Sequence, residues 1–152
     1  FQEMKTYGIK PNDYAYNTRM NAHVDDAERV EELFEEITEN RIKLNDYAYN
    51  TVMDANGDNV ERVEELWKEM IKIGIKPNDV TYNTRMDANV DDVERVEELW
   101  KEMKQKGIKP DVVTYSTIID MYQKKGNNSD RIEELRKESG FRDLASLFAA
   151  EK

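Results

Sequence analysis

The chain has 152 residues, enough for one domain or one uninterrupted run of a repeat array. Acidic residues outnumber basic ones by 33 to 23. The resulting formal charge of −10 excludes a generic nucleic-acid coat, which needs a basic face to replace counterions along the phosphates. Cysteine is absent, and with it disulfides, thiolate catalysis and Cys-based zinc sites. Charged residues make up 37% of the chain against 38% hydrophobic ones, which predicts a thin, distributed core rather than one compact ball. No apolar run approaches the ~18 residues of a membrane span, and no signal or transit segment is visible. Opening on Phe1, the sequence reads as an excerpt.

Residues 1–11 read as the C-terminal part of a truncated repeat, because Phe1, Phe34, Trp67 and Trp100 succeed one another at steps of 33 residues. The word Tyr-Asn-Thr begins at Tyr16, Tyr49 and Tyr82, and Tyr-Ser-Thr at Tyr115, with the same step. Ile9, Ile42, Ile75 and Ile108 keep this register. So do Gly8, Gly74 and Gly107, with Arg41 the exception, and Pro11, Pro77 and Pro110, with Leu44 the exception. Self-similarity at one fixed period is the mark of a repeat array. The predicted repeats are 12–44, 45–77 and 78–110, then a diverged repeat over 111–140 and a capping helix over 141–152.

Each repeat reads as two helices. The first is expected to start near Asp13, Asp46, Asp79 or Asp111, where a carboxylate caps the open N–H groups. The second is typified by Val93 to Met103, whose Val93, Val96, Leu99, Trp100 and Met103 form one apolar stripe of 3.6-residue period. Gly107 and Pro110 then end the helix. Its other face carries pairs such as Glu97 and Lys101 and reads as solvated. In the last repeat Ile132-Glu133-Glu134-Leu135 follows Val96 to Leu99 by 36 residues, an insertion of three around Gly126 to Ser129. Phe141, Leu144, Leu147 and Phe148 predict a final amphipathic helix, as a terminus without a further neighbour requires. The fold class expected is an all-α solenoid of helix-turn-helix repeats.

The Thr-Pro-Leu-His word of ankyrin repeats is missing, and so is the Trp-x-x-Leu-Gly-x-x-Tyr pattern of tetratricopeptide repeats. The words present are Val112 to Tyr122, two copies of Val-Glu-x-Val-Glu-Glu-Leu-Trp-Lys-Glu-Met, and Lys106-Gly107-Ile108-Lys109-Pro110-Asp111. In these the chain resembles the pentatricopeptide repeat family, from Phe1 to about Leu135. The resemblance implies a right-handed α-solenoid that binds single-stranded RNA in a mitochondrion or chloroplast, each repeat facing one base. It implies that base selection falls to Asn17 with Asn45, Asn50 with Asn78, and Asn83 with Asp111, while Ser116 begins a fourth pair. By the family's rule these read pyrimidine, pyrimidine, uracil. Tyr14, Tyr47, Val80 and Val113 stand where the family wedges side chains between bases. The residue chemistry fits: Asn offers a donor and an acceptor, an Asp carboxylate only accepts, and aromatic faces stack on splayed bases.

Departures from the family pattern bear on this. The repeats are two residues short, a loss that falls in the first helix or its turn. Arg19 and Arg85 replace a buried leucine, so each is expected either to reach the groove or to strain the packing. Acids such as Asp25, Asp58 and Asp91 replace a lysine that only Lys124 and Lys125 keep. The alternative function is therefore a protein-interaction scaffold that uses the same concave face without RNA. A third reading is calcium: Asp54, Asn56, Asp58 and Glu65 have EF-hand spacing, as do Asp87, Asn89, Asp91 and Glu98, and less well Asn21, His23, Asp25 and Glu32. The sixth position, however, lacks the glycine that the loop needs. His23 is not repeated, and no phosphate-cradling loop, nucleophile elbow or His pair is present. The chain is expected to be no enzyme, with no cofactor, metal, membrane or small-molecule substrate.

Overall fold

The computed structural model describes residues 12–126 and 129–140, and every regular element among them is an α-helix. The half-repeat expected over 1–11 and the capping helix expected over 141–152 lie outside the described residues. The chain divides into two compact units, Phe1–Pro77 and Asn78–Lys152. The first holds α1 (Asp13–Ala22), α2 (Ala27–Glu39), α3 (Asp46–Ala55) and α4 (Val60–Lys72). The second holds α5 (Asp79–Ala88), α6 (Val93–Gln105), α7 (Val112–Lys124) and α8 (Ser129–Ser139). Within them α1 packs on α2, α3 on α4, α5 on α6 and α7 on α8, so each consecutive pair is a hairpin.

The second helix of a hairpin is held by one stripe. Val30, Leu33, Phe34 and Ile37 are buried on α2, Val63, Leu66, Trp67 and Met70 on α4, and Val96, Leu99, Trp100 and Met103 on α6. The spacing i, i+3, i+4, i+7 is what a helix with one inward face must have. Val93 was expected to open the stripe and is only half-buried, because it is the first residue of α6 and lies before the core begins. The first helices answer with a buried tyrosine: Tyr16, Tyr49, Tyr82 and Tyr115. Phe34 meets Tyr49 edge-on at 5.2 Å between centroids, and Trp100 meets Tyr115 at 5.0 Å. Such pairs contribute about 0.5–1.5 kcal/mol beyond the area they bury. Burial, and then the Glu102 carboxylate, push the Tyr82 hydroxyl up to about 12. Burial with Glu36 raises Tyr16, and burial with Glu69 raises Tyr49, so the tyrosine–glutamate pairing recurs in three hairpins.

The helix starts correct one expectation. Asp13, Asp46 and Asp79 are already helical, and the caps are the asparagines before them: Asn12, Asn45 and Asn78 accept from the backbone N–H groups of Ala15, Ala48 and Thr81. Only at the fourth start does a carboxylate cap, where Asp111 accepts from Thr114. An extended backbone at the cap aims its side-chain oxygen at the third helical N–H, and the residue one step later has already turned away. The C-termini of α4 and α6 follow the glycine pattern. Gly74 and Gly107 have φ 86° and 74°, with Ile75 N–H reaching Met70 C=O at 3.1 Å and Ile108 N–H reaching Met103 C=O at 3.0 Å. At the end of α2 the same geometry is carried by Arg41, at φ 56°, with Ile42 N–H on Ile37 C=O at 3.0 Å.

Carboxylates on the polar face join one hairpin to the next. In the first unit Glu31 of α2 receives Arg62 of α4 on both oxygens, at 2.6 and 2.8 Å, and the Asn56 amide at 3.0 Å. In the second, Glu97 of α6 receives Arg131 of α8 at 3.0 and 2.9 Å and the Tyr122 hydroxyl at 2.5 Å. This corrects the expectation that Glu97 stands on a solvated face beside Lys101. Forked guanidinium geometry outcompetes a same-helix lysine, because two parallel N–H groups fit one carboxylate. Burial works against the charged form of Glu97, but the bonds from Arg131 and Tyr122 outweigh it and hold the carboxyl below its usual value.

Two outcomes follow from these features. Arg41→Gly should raise the urea midpoint by the equivalent of about 0.5–1 kcal/mol, since glycine carries no Cβ penalty at positive φ. Gly74→Arg should lower it, although a Cβ there meets nothing within 4 Å, so the loss comes from the backbone alone. For Glu97, a folded pKa below the unfolded value means that its contribution is present above about pH 4.3 and is lost as pH falls through the folded value. Glu97→Gln should therefore lower the urea midpoint at pH 7 and flatten its decline under acid.

Candidate functional site

The residues expected to meet bases occupy the start of each first helix, where the caps dictate geometry. Tyr14, Tyr47, Val80 and Val113 are each the second helical residue or its equivalent, and all four are exposed, at 76%, 46%, 49% and 53%. An apolar side chain thus meets solvent at the same register position of all four repeats. Three residues on stand Asn17, Asn50, Asn83 and Ser116. Asn17 and Ser116 are partly exposed, whereas Asn50 and Asn83 are buried to 7% and 9%.

One expected pair is joined directly. Asn83 Nδ2 on α5 donates to Asp111 Oδ1 at the N-terminus of α7, at 3.2 Å. Asn83 Oδ1 accepts from the Thr114 hydroxyl at 2.6 Å. Asp111 Oδ1 accepts from Thr114 N–H at 3.0 Å, and Asp111 N–H donates back to Thr114 Oγ1 at 3.1 Å, closing a capping box. Burial disfavours the Asp111 charge, but the Thr114 bonds, with Asp79 and Asn83 behind them, hold its carboxyl below the usual value. It is therefore an acceptor across the whole neutral range. Asn45 uses Oδ1 to cap α3 at 2.9 Å, and among the described residues no hydrogen bond joins it to Asn17. Asn78 caps α5 at 3.1 Å. Sequence reasoning named the partners of the Asn83–Asp111 pair but not Thr114. The signal was available: Thr81 and Thr114 occupy the third helical position where Ala15 and Ala48 stand in the earlier repeats.

Side chains of the acidic turns make local bonds, besides the bond from Asn56 to Glu31. Asn56 and Asn89 donate to the carbonyls of Val52 and Arg85, each at 2.8 Å, four residues back. Glu32, Glu65 and Glu98 each pair with an arginine three residues earlier, at 3.0–3.2 Å. Among the described residues no three His, Asp or Glu side chains gather to hold a metal, and no helix is long and apolar enough to cross a membrane. A cleft of about 530 Å³ beside α7 is lined by Asp87, Asp91, Ser116 and Asp120, with Lys124 and Lys125 at its edge. Lys124 pairs with Asp120 at 3.1 Å, and Lys125 donates to the Asp91 carbonyl at 3.1 Å.

Comparison with known proteins gives a consistent picture. A family model described as "Pentatricopeptide repeat domain" matches residues 1–59, 32–92 and 65–125. No curated protein matches the sequence. Among solved structures, the pentatricopeptide repeat protein PPR10 in complex with an 18-nt psaJ RNA element is 23% identical, with a TM-score of 0.76 over 97% of this chain. A further structure of PPR10 gives its source as maize. The PPR domain of Arabidopsis thaliana protein-only RNase P 1, in complex with tRNA, is 15% identical, with a TM-score of 0.71, and 78% of it is covered by 97% of this chain. Nuclear proteinaceous RNase P 2 from A. thaliana is 16% identical at a TM-score of 0.67, over 90% of this chain and 32% of that one. The chain spans 22% of the length of PPR10. All three share the fold of this chain, a helical solenoid.

The two arginines at the family's leucine position behave differently, and Arg85 does not reach the groove. Arg19 is exposed. Arg85 is buried to 2%, pairs with Glu102 at 3.3 Å, and lays its guanidinium 5.7 Å from the Tyr82 ring centre. Nor does it lack a counter-charge. Glu102 keeps 38% of its side chain in water, so it can lose its partner without becoming a buried charge. Arg85→Leu should leave the urea midpoint unchanged or raise it, since apolar replacement of a buried ion is often neutral or stabilising. Arg85→Ala should lower stability by about 2–5 kcal/mol, the range for large-to-small changes in a core.

Proposed function

The chain belongs to the pentatricopeptide repeat family, and from that premise we propose that it is a module for single-stranded RNA, reading one base per repeat with a preference for pyrimidines and for uracil at the Asn83–Asp111 position. The observation that carries the reading is the contact between Asn83 and Asp111. Two side chains on different hairpins, one able to donate and one held as an acceptor, converge on one point. A base edge offering a carbonyl beside an N–H complements that pair, and uracil has such an edge. Cytosine offers a ring acceptor where uracil has its N–H, which faces the Asp111 carboxylate unfavourably. Asn17 with Asn45 and Asn50 with Asn78 lack the carboxylate, so they favour pyrimidines without separating the two. Tyr14, Tyr47, Val80 and Val113 supply the faces against which bases stack, with Ser116 opening the fourth position. The structures of PPR10 and RNase P 1 described above contain RNA, which supports the reading.

Affinity in this reading comes from stacking and edge contacts, with little phosphate attraction. The module carries out no reaction of its own, and residence in a mitochondrion or chloroplast belongs to the same reading. A protein partner on the same face is the second reading. It is favoured by the formal charge of −10, which opposes a polyanion on any face.

Fluorescence anisotropy with short labelled oligonucleotides tests this. U/C-rich RNA should bind more tightly than A/G-rich RNA, with a shallow salt slope. Tyr47→Ala should weaken binding by about 1–3 kcal/mol, the value of one stacked base. Asn83→Ala should abolish the preference for uracil at one position and keep the helical circular dichroism spectrum, while lowering the melting temperature because the bonds to Asp111 and Thr114 are lost. Absence of binding to every RNA at low salt would leave the protein-scaffold reading.

A further inference from the structure

We propose that Thr114 is a specificity-determining residue: its hydroxyl locks the Asn83 side-chain amide in one of its two orientations and so fixes which atoms the Asn83–Asp111 pair presents to a base. The inference rests on the base-reading role proposed for that pair.

An asparagine amide can be turned end for end with almost no change of shape, exchanging its donor for its acceptor. Uncommitted, it would accept either pyrimidine edge. Here the orientation follows from chemistry. Asp111 Oδ1 lies 3.2 Å from one end of the amide, and a carboxylate oxygen only accepts, so that end is Nδ2. The other end, Oδ1, then lies 2.6 Å from Thr114 Oγ1 and accepts from the hydroxyl, which also lies 3.0 Å from Asp111 Oδ1 and shares its proton with it. The same hydroxyl oxygen accepts from Asp111 N–H at 3.1 Å, which turns its proton away from the helix start and toward its acceptors. Thr114 is fully buried, so no water competes for these bonds. Asp111 thus selects the orientation of the amide, because a flip would set oxygen against carboxylate, and the 2.6 Å bond from Thr114 holds the other end in place.

The first unit supplies the contrast. The residue corresponding to Thr114 relative to the Asn17–Asn45 pair is Ala48, which has no hydroxyl. Asn45 is neutral there, and among the described residues it makes no bond to Asn17. An amide without these two bonds can serve either pyrimidine edge.

The experiment uses the full chain and a U-rich oligonucleotide in which the base facing Asn83 is varied among U, C, A and G. Wild type and Asn83→Ala establish whether the pair reads that base. Thr114→Val, nearly isosteric but without a donor, should reduce the preference for U over C about fivefold, the worth of one hydrogen bond. Thr114→Ser should restore the preference. Thr114→Ala gives a second hydroxyl-free variant should the valine methyl disturb the cap, with circular dichroism as the check on folding. NMR without RNA adds an independent readout: removing the hydroxyl should raise the Asp111 carboxyl titration and shift the Asn83 side-chain amide signals, and serine should reverse both. If Asn83→Ala loses base preference while Thr114→Val keeps it, the positioning role is wrong and the base-reading role stands. Unchanged Asp111 and Asn83 signals in Thr114→Val overturn the lock itself. If wild type shows no preference at this base, the base-reading role falls and the specificity inference with it, whatever the NMR shows.

Discussion

Everything at the proposed RNA face depends on a tyrosine turned inward. A helix advances about 100° per residue, so burying Tyr49 against Phe34, or Tyr115 against Trp100, commits the orientation of its neighbours. The residue two positions earlier lies about 200° away and has to face water, which is why Tyr47 and Val113 are exposed despite being apolar. The residue one position later lies at the margin of the core, where Asn50, Asn83 and Ser116 are found. The aromatic edge contact therefore does two jobs. It closes one hairpin against the next and sets the azimuth of every side chain proposed to touch a base.

The capping requirement imposes a second constraint on the same few residues. A helix leaves its first N–H groups open, and Asn45, Asn78 and Asp111 satisfy them with a side-chain oxygen. These are also the residues proposed to select bases. The double duty limits what evolution or design can place there, because a residue that reads a base but cannot cap would fray the helix that presents it. Asn and Asp are among the few side chains able to do both.

What the sequence made legible was local and periodic. The 33-residue register, the two-helix repeat and the apolar stripe of the second helix depend on residues within one turn or two of each other. The Asn83–Asp111 pairing was legible through family resemblance, and the choice of Asn over Asp as cap was misread by one position. The Glu31–Arg62 and Glu97–Arg131 clamps were not legible, since each joins residues more than thirty positions apart, and every glutamate on those faces looks alike in the sequence. Only the three-dimensional placement of one hairpin against its neighbour separates Glu97, held by three donors, from Glu98, which pairs within its own helix. Arg85 was hidden for a similar reason: its counter-charge is on the other helix of its hairpin.

The clamp at Glu97 has a consequence for how such a chain can be lengthened. Arg62 lies 31 residues after Glu31, whereas Arg131 lies 34 after Glu97; the three residues expected as an insertion around Gly126 to Ser129 instead lengthen α7, which has 13 residues where α1, α3 and α5 have 10. The ion pair is made all the same. The joint between hairpins is thus made with a first helix of either length, the two differing by about one turn. A hairpin whose first helix is about one turn longer could therefore be exchanged for a shorter one and still be clamped to its neighbour through the same glutamate and arginine.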